Sequence, residues 1–132
     1  MKTFLLTIYD TAHTQTIGEL VSFVGEDLSG SFGILAGRER FITCLSFGMT
    51  RLRTLSGKTL YLALPGGVLR FLNDNLTIST RHFVISDNFE HVQKTLQQDI
   101  LEEEIQLQTL KKSFHTMENE LMKRLLKTGE SL

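Results

Sequence analysis

Proline occurs once in this chain of 132 residues, at Pro65, and no glycine lies between Gly67 and Gly129. Nine of the ten glycines and the proline fall within residues 1–86, among short alternating apolar runs. Glycine and proline are the strongest local punctuation a chain has. Their absence from Ser86 until Gly129 excludes a turn-rich sheet there, and their abundance before it predicts strands joined by tight turns. The fold class expected is mainly β with an α-helical C-terminal arm: a β-sandwich domain over residues 1–86 and a helical domain over 87–132.

Cysteine is equally scarce. A single Cys44 excludes an internal disulfide framework, and its setting in Phe41-Ile42-Thr43-Cys44-Leu45 predicts a buried, reduced thiol in a cytosolic protein. No run approaches the roughly 20 apolar residues of a membrane span. The opening Met1-Lys2-Thr3-Phe4-Leu5-Leu6-Thr7-Ile8 stops being apolar too soon for a signal peptide, so membrane association is expected only indirectly, through partners. With 41% hydrophobic residues, the length allows one ordinary domain with an appendage and excludes two large ones.

No charge of one sign dominates, the formal net charge being -1. Residues 1–86 hold eight Lys/Arg against six Asp/Glu, and 87–132 hold six against nine. Neither balance fits a dedicated nucleic-acid binder. Arg38, Arg40, Arg51 and Arg53 cluster in sequence and read as exposed strand residues or contacts to a protein neighbour in preference to a phosphate patch.

Catalytic groupings are missing too. Cys44 has no neighbouring histidine, and His13, His82, His91 and His115 are too scattered for a triad. His82 and His91 stand nine apart across a strand-to-helix junction and do not make a metal pair. Gly25-Glu26-Asp27-Leu28-Ser29-Gly30-Ser31-Phe32-Gly33 lacks the Gly-Lys-Ser/Thr of a phosphate loop, contains two acids and leads into a strand, so it reads as a turn. No catalytic, cofactor or metal residues are expected, and the chain reads as a piece of an assembly and not as an enzyme.

What is present is a run of β signals. Leu76-Thr77-Ile78-Ser79-Thr80-Arg81 alternates cleanly, while Leu60, Leu62 and Leu64 alternate with the fairly apolar Tyr61 and Ala63, which predicts a strand covered on both sides and favours two packed sheets. Leu55-Ser56-Gly57-Lys58 and Asn73-Asp74-Asn75 read as hairpin turns. Strands are expected near 2–8, 15–24, 31–35, 40–45, 47–54, 58–64, 67–72, 75–80 and 82–85. Beyond them, Asp87 and Glu90 have the spacing of a capping box. Phe89, Val92, Leu96 and Ile100 form one apolar stripe, and Leu107, Leu110, Phe114, Met117, Leu121 and Leu125 another in nearly the same phase. Glu102-Glu103-Glu104 interrupts them, so either a helical hairpin turns within 97–111 or a short helix precedes a long amphipathic one. Lys123, Arg124 and Lys127 suit the negative end of the helix dipole, and Gly129 its stop.

Gly30-Ser31-Phe32-Gly33-Ile34-Leu35-Ala36-Gly37 resembles the glycine-rich signature of the epsilon subunit of F-type ATP synthases, with Ala36 in place of the family's proline. Phe47-Gly48-Met49-Thr50-Arg51 resembles its next turn and strand, and Pro65-Gly66-Gly67-Val68-Leu69 its Gly-Gly turn. Ile78-Ser79-Thr80-Arg81 running into Ser86-Asp87-Asn88 is most similar to the alternate, sodium-type N-ATPase branch. The resemblance spans residues 2 to about 90, and the tail matches only in length and character.

The resemblance implies a ten-stranded β-sandwich in the central rotor stalk, with the gamma subunit on one side and the ring of c subunits beneath. It implies a non-catalytic subunit coupling rotation to proton or sodium flow at the cytoplasmic face of a bacterial plasma membrane, whose helical arm can brake ATP hydrolysis by reaching transiently toward the alpha and beta subunits. Phe32, Gly33 and Gly37 are carried over as shaping the ring-facing loop, with Arg38 where the family usually has histidine. The family's Ile/Leu-Asp-x-x-Arg-Ala motif for ATP is not matched, since residues 88–98 contain no arginine. The competing class is a β-sandwich adaptor or sensor with a coiled-coil tether.

Overall fold

The computed structural model describes residues 2–130, with side chains described through Leu126. The chain divides into two compact units, Met1–Ile100 and Leu101–Leu132.

Among the described residues nine strands build the first unit: β1 (Phe4–Tyr9), β2 (Thr14–Asp27), β3 (Gly30–Leu35), β4 (Phe41–Leu45), β5 (Gly48–Thr54), β6 (Thr59–Leu64), β7 (Gly67–Leu72), β8 (Asn75–Thr80) and β9 (Val84–Ser86). The expected count of ten becomes nine because β2 serves twice. Its first half pairs with β1, and its second half lies between β3 and β5. One layer is therefore β2-β1-β8-β7-β4, and the other is β3-β2-β5-β6-β9, with a single β2–β4 pairing, Asp27 to Leu45, joining them at a corner.

The change of layer sits at an irregularity in β2. Phe4 pairs with Leu20 but Leu6 with Ile17, so β2 carries one extra residue there. Glu19 takes up the bend with φ 54°, the geometry of a bulge that turns a strand sharply. The Glu19 carbonyl accepts the Leu55 N–H of the β5–β6 turn at 2.9 Å.

Strand alternation puts one side of each layer inward. Leu6, Ile8, Phe23, Leu52, Leu69 and Ile78 are all fully buried in one continuous core. Phe4 and Phe71 meet edge to face at 5.6 Å. β6 is covered on both faces as its composition predicts: Leu62 and Leu64 enter the core, while Ala63 is buried on the opposite side. The cover over Ala63 is a helix.

That helix is α1 (Phe89–Thr95), capped by Asn88, whose side-chain oxygen accepts the His91 N–H at 3.1 Å. The cap is one residue later than the Asp87–Glu90 box predicts. Ser86 Oγ accepts the Asn88 N–H, and Asp87 instead reaches Lys58 Nζ at 3.5 Å. Val92, Leu96 and Ile100 pack with Ala63, Met49, Tyr61 and Val84 in a second apolar cluster. Leu96–Ile100 is a π-helical segment followed directly by α2 (Leu101–Glu130). No hairpin turn occurs in 97–111, and α2 is one long helix that continues through Gly129. The acids at 102–104 follow the π-helical segment without a break, so they do not interrupt the helix.

Candidate functional site

The loop after β3 is built from both layers. Gly37 has φ +85°, with open space where a side chain would stand, so conformation and not crowding favours glycine there. Its N–H donates to Asp74 Oδ1 at 2.7 Å. Asn73 and Asp74, at φ 51° and 58°, form the β7–β8 turn predicted from Asn73-Asp74-Asn75, with the two left-handed residues of a type I′ hairpin. One hairpin turn of the first layer thus anchors the loop that leaves the second.

Arg38 closes the same corner. Its guanidinium donates to the Gly33 carbonyl at 2.7 Å and lies over the Phe41 ring at 4.3 Å, a cation–π geometry. The Phe41 ring meets Phe32 at 5.3 Å, and Phe32 meets Phe23 at 6.2 Å. Phe32, Gly33, Gly37 and Arg38 therefore come together as one corner. Phe32 points inward as a partly buried core residue, while Gly33, Gly37 and Arg38 are exposed. β3 pairs only with β2, so the Arg38 contact satisfies a carbonyl on an open sheet edge.

The outer face of the first layer is unusual in composition. Register aligns Cys44, Val68, Ser79 and Tyr9 in one row and Ile42, Arg70, Thr77 and Thr7 in the next. Ile42 is 53% and Val68 51% exposed. Apart from Arg70 these rows hold only apolar groups, hydroxyls and a thiol. Cys44 is exposed, contrary to the buried thiol expected, because Phe41, Thr43 and Leu45 take the inward positions of β4.

At the opposite end of the sandwich, Asp27 ties the β2–β3 turn to β4. Its carboxylate accepts the Ser29 hydroxyl and N–H and, at 2.6 Å, the Thr43 hydroxyl. The hydrogen bonds from Ser29 and then Thr43 hold its pKa below the ordinary carboxylate value. Beside it, Gly66 has φ +129°, and a Cβ on Gly67 would stand 2.4 Å from the Ser79 carbonyl oxygen. The Pro65-Gly66-Gly67 turn thus brings backbone against backbone as glycine alone permits.

On α2, described by itself, Leu107 is half-buried, and Leu110, Phe114, Met117, Leu121 and Leu125 are exposed. Among the described residues no three His, Cys, Asp or Glu side chains gather into a metal-binding group, and no helix is long and apolar enough to cross a membrane.

Residues 3–86 match the family model of the beta-sandwich domain of the ATP synthase delta/epsilon chain. The chain belongs to this family. The matched segment is β1 to β9 with their turns, so the delta/epsilon sandwich accounts for the sheet and ends before α1. A curated relative, ATP synthase epsilon chain 2 of Cereibacter sphaeroides, is 33% identical over 78 residues, covering 58% of this chain and 53% of its own length. The chain thus spans about half of that relative.

Two solved assemblies share the fold. A chain of the Euglena gracilis mitochondrial ATP synthase, in an OSCP/F1/c-ring structure, aligns with TM-score 0.60 at 20% identity over 67% of this chain and 57% of that one. One from the Tetrahymena thermophila mitochondrial ATP synthase central stalk and c-ring aligns with TM-score 0.53 at 12% identity over 63% and 66%.

The sequence reading named Phe32, Gly33, Gly37 and Arg38 but not Asp74 and Phe41, which hold them at one corner. The signal for Asp74 was its place in a turn, and for Phe41 its place among strand aromatics; neither reveals a contact across layers.

Proposed function

We propose that this chain is a central-stalk rotor subunit of an F-type ATP synthase or ATPase of the alternate, sodium-type branch, joining the gamma subunit to the c ring during proton- or sodium-driven ATP synthesis. It makes and breaks no bonds and takes no cofactor; its contribution is a rigid body with two contact surfaces and an arm. The observation that carries this reading is the family match across the whole sandwich.

The outer face of β1, β8, β7 and β4 is the gamma-facing side. Leu5, Tyr9, Ile42 and Val68 stand exposed there, and an apolar patch rimmed by polar groups marks a protein interface. The corner of Phe32, Gly33, Gly37 and Arg38 is the ring-facing loop, held in shape by Asp74 and Phe41. The stripe of Leu107, Leu110, Phe114, Met117, Leu121 and Leu125 is the arm's interface, which meets gamma and transiently alpha and beta and so brakes hydrolysis. The subunit works at the cytoplasmic face of a bacterial plasma membrane and reaches the membrane only through the complex.

Tagged chain expressed in its own host is expected to bring down gamma and the catalytic subunits, and truncation after Ile100 to raise ATP hydrolysis by the assembled enzyme. Recovery of an unrelated partner in place of gamma contradicts the assignment. Unchanged hydrolysis after truncation contradicts the brake alone.

A further inference from the structure

The apolar stripe of α2 has the spacing of a coiled-coil seam. Leu107, Leu110, Phe114, Met117 and Leu121 step alternately by three and four, the a and d positions of a heptad in which Leu107 is a. Phe114 is 56% and Met117 64% exposed.

The charges beside the seam select its occupant. In this frame Lys111 and Glu118 are both e positions, one heptad apart. Two copies packed in parallel set e against g, which places Lys111 against Gln106, Glu118 against Ser113 and Leu125 against Glu120; no opposite charges meet. Two copies packed antiparallel set e against e. With Phe114 of one over Met117 of the other, Leu110 meets Leu121, and Lys111 meets Glu118, an arrangement the twofold axis repeats. The end layers place Leu107 against the aliphatic stem of Arg124, whose charged head reaches water.

We propose that the seam of α2 binds a second copy of this chain, antiparallel, with the twofold axis between His115 and Thr116. Surface ion pairs add little strength, so the Lys111–Glu118 pairs set orientation while the apolar layers hold the two copies together. The seam spans only about two heptads, so the dimer is weak and depends on concentration. The inference concerns the chain by itself and does not rest on the rotor assignment. Should the arm also dock in a larger assembly, the dimer and the docked arm exclude each other, because both use the same stripe.

Sedimentation velocity on the full chain tests this. From about 10 µM to about 1 mM the sedimentation coefficient is expected to rise from monomer toward dimer, and Phe114→Glu, at an exposed position, is expected to abolish the rise without changing the helical circular dichroism. Lys111→Glu should weaken the dimer several-fold, and Lys111→Glu with Glu118→Lys should restore it. Spin labels on Arg124→Cys in a Cys44→Ser background should lie about 25 Å apart across an antiparallel pair and about 10 Å apart across a parallel one. A monomer throughout, a dimer insensitive to Phe114→Glu, a double reversal that fails to restore, or the short distance would each overturn the proposal.

Discussion

At the scale of single residues, the glycines divide into those that shape the backbone and those that do not. Gly33 lies in β3 without a positive φ, and a Cβ there would approach nothing nearer than the Phe23 carbonyl at 3.8 Å. Gly33→Val is therefore expected to leave the melting temperature nearly unchanged. Gly67→Ala drives a methyl into the Ser79 carbonyl and should cost about 2–4 kcal/mol in chemical denaturation. The two look alike in the sequence, because a glycine between apolar residues does not say which strand passes its face. Asp27 contributes, as Asp10 does, to the pH dependence of stability. Its pKa is lowered in the folded chain by the hydrogen bonds from Ser29 and Thr43. The stability it contributes is complete above the unfolded carboxylate value and is lost as pH falls through the lower folded value. Thermal melts from pH 6 down to about pH 2 should show wild type losing its margin over Asp27→Asn in that acid window, and a margin independent of pH would refute this role.

At the scale of elements, the alternating strands, both hairpin turns and the two-sided burial of β6 were legible, because each rests on local chemistry repeated over several residues. The sharing of β2 between layers was not, since its bend depends on a bulge at Glu19, a residue with no sequence signal for φ > 0. The course of the helices was half legible: the stripes were found, but Glu102-Glu103-Glu104 reads as an interruption although the helical run continues through it. The contacts that gather Phe32, Gly33, Gly37 and Arg38 into one corner needed three dimensions. The α1 layer has a measurable consequence for stability. Val92, Leu96 and Ile100 are buried against Ala63, so residues 1–100 should fold as a monomer with slow amide exchange in β6. A 1–86 fragment keeps the inner core but exposes Ala63, Met49 and Val84. It should still show sheet circular dichroism while melting several degrees lower. Equal melting of the two fragments would mean that α1 adds nothing to the sandwich.

At the scale of the whole molecule, the two units suit different tasks. The sandwich is a two-layer body whose turns are fastened across layers by Gly37–Asp74, Arg38–Phe41 and Thr43–Asp27, and such cross-ties keep a contact surface in one shape. α2 offers a long exposed stripe, which by its composition awaits a partner. In the proposed assembly the outer face of β4 and β7 binds the gamma subunit. Binding of purified chain to gamma, measured by calorimetry for wild type and for Ile42→Glu with Val68→Glu, tests it most directly. Both positions are about half exposed, so the double variant should fold and melt like wild type. Saturable binding by wild type is expected, with at least a hundredfold weaker binding by the variant, on the order of the 3 kcal/mol lost when a buried interface patch is made to hold charge. Equal affinity of the two, with both folded, would contradict it.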